Sequence, residues 1–289
     1  MKINWFEIGI FGSGGTGEGE FNSPSCIATD INEDIYVTDT DNNRVQIFDS
    51  EGNFKGMIDA DFDHPYGIAI DPSSYRIAIS DERNHRIRVF DPEGTFLHDV
   101  GRWGGDSGEF RFPKGIAFNN EGMMFVADNN NHRVQIFNSD LSWKYRFGGY
   151  GSEQGRLKYP NDVAIDEINK RIIVVDNQNH RLQFFDMSGN NGGTIGKFGK
   201  DIIEFEAPSG ICIKNASIFV CDTLNHRIQS FLFDKKNVIF TGAYGLIGIG
   251  CEQGGFYCPT GITITSRGKL IVVDTLNNRI KIVEPIYEH

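Results

Sequence analysis

Asp128-Asn-Asn-Asn131-His-Arg133-Val-Gln-Ile-Phe137 decides the fold, because the chain writes this phrase six times. The copies are Asp39/Asn42/Arg44, Asp81/Asn84/Arg86, Asp128/Asn131/Arg133, Asp176/Asn179/Arg181, Asp222/Asn225/Arg227 and Asp274/Asn277/Arg279. Successive Asp residues lie 42, 47, 48, 46 and 52 apart by subtraction. Repetition at that period over the whole length means one array of like units. Residues 1–289 therefore read as a single repeat domain, with units centred on the six Asp residues.

Working outward from the phrase gives the unit. A proline opens each repeat: Pro24, Pro65, Pro113, Pro160, Pro208 and Pro259. An alternating apolar run follows, as in Pro113-Lys-Gly-Ile-Ala-Phe118, and period-two alternation marks a half-buried strand. Met123-Met-Phe-Val-Ala127 is the second strand, Val134-Gln-Ile-Phe137 the third and Ser142-Trp-Lys-Tyr-Arg-Phe147 a weaker fourth. Four short strands joined by tight polar turns are one propeller blade, so the fold class is all-β, a six-bladed β-propeller. The last repeat stops after its third strand, at Ile280-Lys-Ile-Val283, before a tail containing Pro285. Asn4-Trp-Phe-Glu-Ile-Gly-Ile-Phe-Gly12 looks like the fourth strands elsewhere and is expected to complete that blade, closing the ring and removing open edges. The repeated Asp, Asn and Arg read as structural, the carboxylate pairing bidentately with the guanidinium and the Asn amide serving turn backbone groups.

These residues resemble the NHL-repeat family, whose signature is an Asp-x-x-Asn-His-[Leu/Arg] turn. The resemblance covers residues 4–283 and includes the loops before the prolines, such as Gly105-Asp-Ser-Gly-Glu-Phe-Arg-Phe-Pro113. The second repeat departs from it with a shortened Asp61-Phe-Asp-His-Pro65, and the fifth lacks those glycines at Ile202-Ile-Glu-Phe-Glu-Ala-Pro208. A WD-type propeller fits poorly, since none of Trp5, Trp103 or Trp143 precedes an Asp.

Composition narrows the function classes. No apolar stretch approaches the ~18 residues of a membrane span, and Glu7 interrupts any secretory leader. Met1 stands almost on the first strand, as expected of a domain excised from a longer protein. The five cysteines, Cys26, Cys212, Cys221, Cys251 and Cys258, follow no metal-ligand spacing; Cys251 and Cys258 share a loop and could bridge, but a reduced cytoplasmic protein is the simpler expectation. The net charge of −11 is uneven. Residues 1–75 hold 3 Lys/Arg against 14 Asp/Glu, residues 76–158 hold 12 against 11, and residues 159–289 hold 13 against 14. The acidic first sector repels polyanions and favours a basic partner.

Histidines 85, 132, 180 and 226 share one slot of the repeat. Equivalent turns of adjacent blades lie on the order of 10 Å apart. Zinc needs each nitrogen at about 2 Å, so these read as turn residues, and no metal or cofactor is expected. Some propellers of this family resemble zinc-dependent amidating lyases, but the remaining His64, His98 and His289 are scattered and no nucleophile elbow or phosphate loop is present. No catalytic residue is assigned, and a lyase-type enzyme ranks last. Two binding readings remain. A recognition platform for protein partners would use exposed Trp103, Tyr150, Tyr159, Phe256 and Tyr257 as anchors. By resemblance to tripartite-motif NHL proteins, it would select targets for a ubiquitin ligase carried by other domains. The alternative is sequence-selective binding of single-stranded RNA, for which Arg83, Arg102, Trp103, Arg111, Lys114, Tyr150, Arg156, Lys158 and Tyr159 interleave cations with rings. The propeller itself is expected to be monomeric.

Overall fold

The computed structural model describes residues 2–234, 237–245 and 255–288. Six four-stranded antiparallel sheets follow one another in chain order. Blade three shows the common plan: Pro113–Phe118, Met124–Asp128, Arg133–Phe137 and Trp143–Gly148, running from the ring's centre outward. Each blade's innermost strand touches that of the next, and Pro259–Ile264 of blade six touches Pro24–Thr29 of blade one. The structure is a six-bladed β-propeller.

Its apolar side chains lie between blades in six clusters. Ile27, Val37 and Phe48 of blade one meet Ile271, Val273 and Ile280 of blade six, for example. Strands buried on both faces explain the dense apolar runs read for the second strand of each blade.

Lys2–Phe11 is the outer strand of blade six, antiparallel to Arg279–Glu288. The sheet order places this N-terminal strand beside the last strand of the chain, which closes the ring as the sequence suggested. One expectation needs correction: the third strand of blade six does not end at Val283 but runs to Glu288, with Pro285 opposite Trp5. Beyond Val283 this strand has a neighbour on one side only, an edge position of the kind in which proline is tolerated.

The alternation of strands sorts the connections onto two faces. The Asp-x-x-Asn turns and the long loops entering each blade share one face; the turns between strands one and two, and three and four, share the other. No helix among the described residues is long and apolar enough to cross a membrane. Cys26, Cys212, Cys221 and Cys258 are free thiols, and Cys251 lies outside the described residues.

A candidate recognition face

Five of the Asp-x-x-Asn turns are short 3-10 turns and that of blade two is a plain turn. In all six the next residue takes a left-handed conformation, φ +54° at Asn43, +58° at His85 and +55° at His132. Asn and His tolerate that region better than most side chains. The Asp side chains are fully buried, and each accepts one bond from the guanidinium Nε, between 2.6 and 2.8 Å. The expected bidentate pairing of Arg44, Arg86, Arg133, Arg181, Arg227 and Arg279 with their Asp partners is therefore corrected. One nitrogen of each meets the carboxylate, because the others are drawn to the loop that enters the blade. Arg44 donates to the carbonyls of Gly17 and Glu20, and Arg86 to that of Asp61 and to the Asp99 carboxylate. Arg133 reaches the carbonyls of Gly105, Asp106 and Glu109. Arg181 takes those of Ser152, Glu153 and Arg156, Arg227 those of Asp201 and Glu204, and Arg279 that of Gly255.

The role expected of the Asn amides is corrected in the same sense. Rather than serving their own turns, Asn42, Asn84, Asn131, Asn179, Asn225 and Asn277 donate to the Asp carboxylate of the repeat at 2.8–3.0 Å. Asn42, Asn131, Asn179 and Asn225 bridge on to the carbonyls of Gly15, Gly104, Gly151 and Gly199 in the entering loops. The shortened loop of blade two has no such glycine for Asn84 to meet. The triad thus ties the recognition loop to the blade. A fourth member stands seven residues after the Asp, outside the turn that the sequence reading singled out. Gln46, Gln135, Gln183 and Gln229 donate to both Asp and loop carbonyl. Blades two and six place Arg88 and Lys281 there.

The residue after the Asn clips neighbouring blades together. The backbone N–H of the residue before each opening proline donates to this side chain: His64 to Asn43, Phe112 to His85, Tyr159 to His132, Ala207 to His180, Cys258 to His226 and Ser23 to Asn278. All six bonds measure 2.9–3.1 Å. Histidine and asparagine interchange because Nδ1 and Oδ1 accept at the same reach. The bond requires a neutral ring, and burial holds His85, His132 and His180 below the usual histidine range. Their contribution is complete above the unfolded value near 6.5 and is lost as pH falls toward the depressed folded values. Melting temperature is expected to drop between about pH 7 and 5. Asn at 85, 132 and 180 should flatten that drop; parallel curves for variant and parent would exclude the clips as its source.

The loops held by these ties carry the exposed rings. Trp103, Tyr150 and Phe198 occupy equivalent positions in blades three, four and five, each bridging to Phe110, Leu157 or Phe205. They are 63, 66 and 63% exposed, whereas their bridge partners are fully buried. Gly101 makes this possible: at φ +82°, a Cβ there would lie 2.4 Å from the Phe110 ring. Phe256 is the corresponding buried residue of blade six, so its expectation as an exposed anchor is corrected. It stands three residues before the proline, like Phe21, Phe110 and Phe205, and fills the core under the loop. Phe198 is absent from the sequence-based anchors, although Gly-x-[Trp/Tyr/Phe]-Gly recurs at Gly101, Gly148 and Gly196.

The cations divide. The Arg111 guanidinium stands over Trp103 at 5.2 Å and the Lys158 amine over Tyr150 at 5.6 Å. Arg102 is exposed but bonded to Glu109. Arg156 is exposed beside Gly148, and Tyr159 packs edge-on against His132. Arg83 lies in the blade-two turn, 3.9 Å from Asp63. Lys114 stands apart, on the innermost strand, its amine over Tyr66 at 4.3 Å and near Glu82 at 3.9 Å. The three loops 101–113, 148–160 and 196–208 hold six Lys/Arg and six Asp/Glu, so the aromatic row carries no net charge.

Parts of this chain are similar to known proteins. Residues 21–48, 110–137 and 256–283 match the family described as NHL repeat. Protein brain tumor of Drosophila melanogaster is 40% identical over 75 residues, which are 24% of this chain and 7% of that protein. The B-box type zinc finger protein ncl-1 of Caenorhabditis elegans is 51% identical over 45 residues, 16% of this chain and 5% of that one. The match thus spans less than a tenth of either relative's length. Among solved structures, virginiamycin B lyase from Staphylococcus aureus aligns with TM-score 0.64 at 13% identity, covering 99% of this chain and 100% of that one. A protein of unknown function from Bacteroides thetaiotaomicron aligns with TM-score 0.75 at 15% identity, covering 98% and 76%. Both likenesses are of fold. This chain carries NHL repeats on a six-bladed β-propeller.

Proposed function

We propose that this propeller is a non-enzymatic recognition platform for protein partners, binding them through Trp103, Tyr150 and Phe198 in the cytoplasm. The observation that carries the reading is the row of equivalent rings, each about two-thirds exposed and mounted on a loop tied to its blade by Arg133, Arg181 or Arg227, all three paired with a fully buried Asp. Large exposed rings on a rigid support are the side chains that become binding hot spots once covered. The net neutrality of the three loops favours a protein over a polyanion, because phosphate neutralisation supplies most nucleic-acid affinity. A non-enzymatic role is supported by the histidines, whose Nδ1 lone pairs in the four turns accept backbone N–H groups between blades. Similarity to a B-box type zinc finger protein favours a place as the target-selecting part of a tripartite-motif-type ubiquitin ligase.

The runner-up, single-stranded RNA, draws on the cations over Trp103 and Tyr150, since bases stack on such rings beside phosphate-neutralising groups. Fluorescence anisotropy with a random single-stranded RNA pool, at about 50 and 200 mM salt, separates the two. The protein reading expects weak RNA binding. It also expects captured protein partners to be lost when Trp103, Tyr150 and Phe198 become Ala, each truncation weakening binding roughly 30-fold if it removes about 2 kcal/mol. Tight, steeply salt-dependent RNA binding that disappears with Arg102/Arg111/Lys158→Ala would replace it with the RNA reading.

A further inference from the structure

On the opposite face, between blades one and two, lies a cavity of about 260 Å³ walled by Ile31, Tyr36, Tyr75 and Pro92 and edged by Asp30 and Glu93. None of its lining residues is cationic. Tyr36 is 6% exposed, and its hydroxyl makes no hydrogen bond among the described residues. Burial, with Asp30 and Asp34 nearby, pushes that hydroxyl up to about 12, so it stays a neutral donor and acceptor. Asp30 spends Oδ1 on the N–H groups of Asn32 and Asp34, leaving Oδ2 only a 3.5 Å contact with the Asn32 amide. The Glu93 carboxylate has no partner among the described residues, its backbone N–H alone bonding to Asp91. Lys55 is engaged by Asp34, and Arg76 by Ser74, Asp71 and the Ser139 carbonyl. No neighbouring cation is therefore committed to the cavity.

Tyr75 is the telling residue. It holds φ +61° and is 42% exposed. The same left-handed position is Gly122 and Gly268 in blades three and six, and the polar Glu33 and Lys170 in blades one and four. The turn does not require a tyrosine, and a bulky side chain there carries backbone strain. Its ring nonetheless forms one wall of the cavity.

We propose that this cavity is a docking site for a single basic side chain, arginine or lysine, presented by a protein partner. The aliphatic stem would lie on Ile31 and Pro92, the cation against the tyrosine rings, and Asp30 and Glu93 would supply the counter-charge. The volume falls below the ~300–1,000 Å³ of sites for drug-sized ligands, so one side chain fits better than a whole small molecule. The surrounding sector, residues 1–75 with 3 Lys/Arg against 14 Asp/Glu, would steer a basic segment toward it. This site lies on the face away from the aromatic row and stands or falls separately from it.

The test is anisotropy of fluorescein-labelled hexa-arginine and hexa-lysine peptides with the intact chain. Tyr75→Asn removes the ring while keeping a residue that accepts the left-handed backbone; Glu93→Gln removes one exposed charge. Each is expected to weaken binding by about tenfold, whereas Glu51→Gln, the same charge change elsewhere in the acidic sector, should change it less than about twofold. The better-bound peptide identifies guanidinium or ammonium as the preferred cation. Equal weakening by Glu51→Gln and Glu93→Gln, or no binding of either peptide at low salt, would overturn the proposal. Because Glu93 is exposed, its variant tests the site even if Tyr75→Asn proves unstable.

Discussion

Removal of residues 1–12 should abolish cooperative unfolding near the parent melting temperature. Among the described residues, Lys2–Phe11 is the only strand that pairs with the outer side of Arg279–Glu288. Its Ile3 is buried, Trp5 stacks on Tyr244 at 5.6 Å and meets Phe219 edge-on, and Phe11 packs on Phe48 at 4.9 Å. Three such side chains contribute about 1.5–3 kcal/mol each. Glu7 is the 2.7 Å partner of Lys281, which is fully buried, and deleting one member of a buried pair costs about 3–5 kcal/mol more. The total approaches the whole stability of a typical domain, about 5–15 kcal/mol. The deletion also bares a long strand edge, so aggregation should accompany unfolding. Calorimetry decides: a truncated protein that melts like the parent would mean the strand is not what closes the ring. Glu7→Gln alone should lower the melting temperature by a smaller amount, isolating the buried pair from the packing.

What could be read in advance depended on repetition. Six copies of one turn disclosed the blades, because in each the same contact recurs and leaves the same letters, and a last repeat one strand short disclosed the closing strand. The partners of those letters were harder to read. Arg44, Arg181 and Arg227 look like simple mates for an Asp five residues away, and the carbonyls they also hold lie more than 20 residues upstream. Gln46 and its equivalents are equally regular, yet they sit inside third strands whose pattern is dominated by apolar residues, and two blades replace them with Arg88 and Lys281. Phe256 and Trp103 show why exposure was harder. Both are loop aromatics near a glycine, and only the fold of the loop puts one under it and the other on top. Lys114 reads as a loop cation but begins a strand at the ring's centre, since its preceding proline is already paired with Asp128. The cavity beside Tyr75 joins three turns of two blades, at 30–32, 75 and 92–93, and no local pattern announces such a meeting.

Asp128→Ala is expected to cost about 3–5 kcal/mol, far more than a surface ion pair would. The carboxylate is fully buried and collects donors from the Arg111 backbone at 2.8 Å, Asn131 at 2.9 Å, Arg133 at 2.6 Å and Gln135 at 3.1 Å. Alanine strands all of them, together with a guanidinium that is almost wholly enclosed. At about 2–4 °C per kcal/mol, the melting temperature should fall by roughly 6–20 °C. The effect should also reach the recognition face. Arg133 and Asn131 hold the carbonyls of Gly104, Gly105, Asp106 and Glu109, so losing their anchor frees the loop that presents Trp103. Arg133→Met added to Asp128→Ala should recover part of the loss, because the uncompensated charge disappears with it. Thermal melts of the two single variants and the double variant give the coupling. If the losses simply add, the turn is not acting as one unit, and the account of how the repeat positions its loops fails with it.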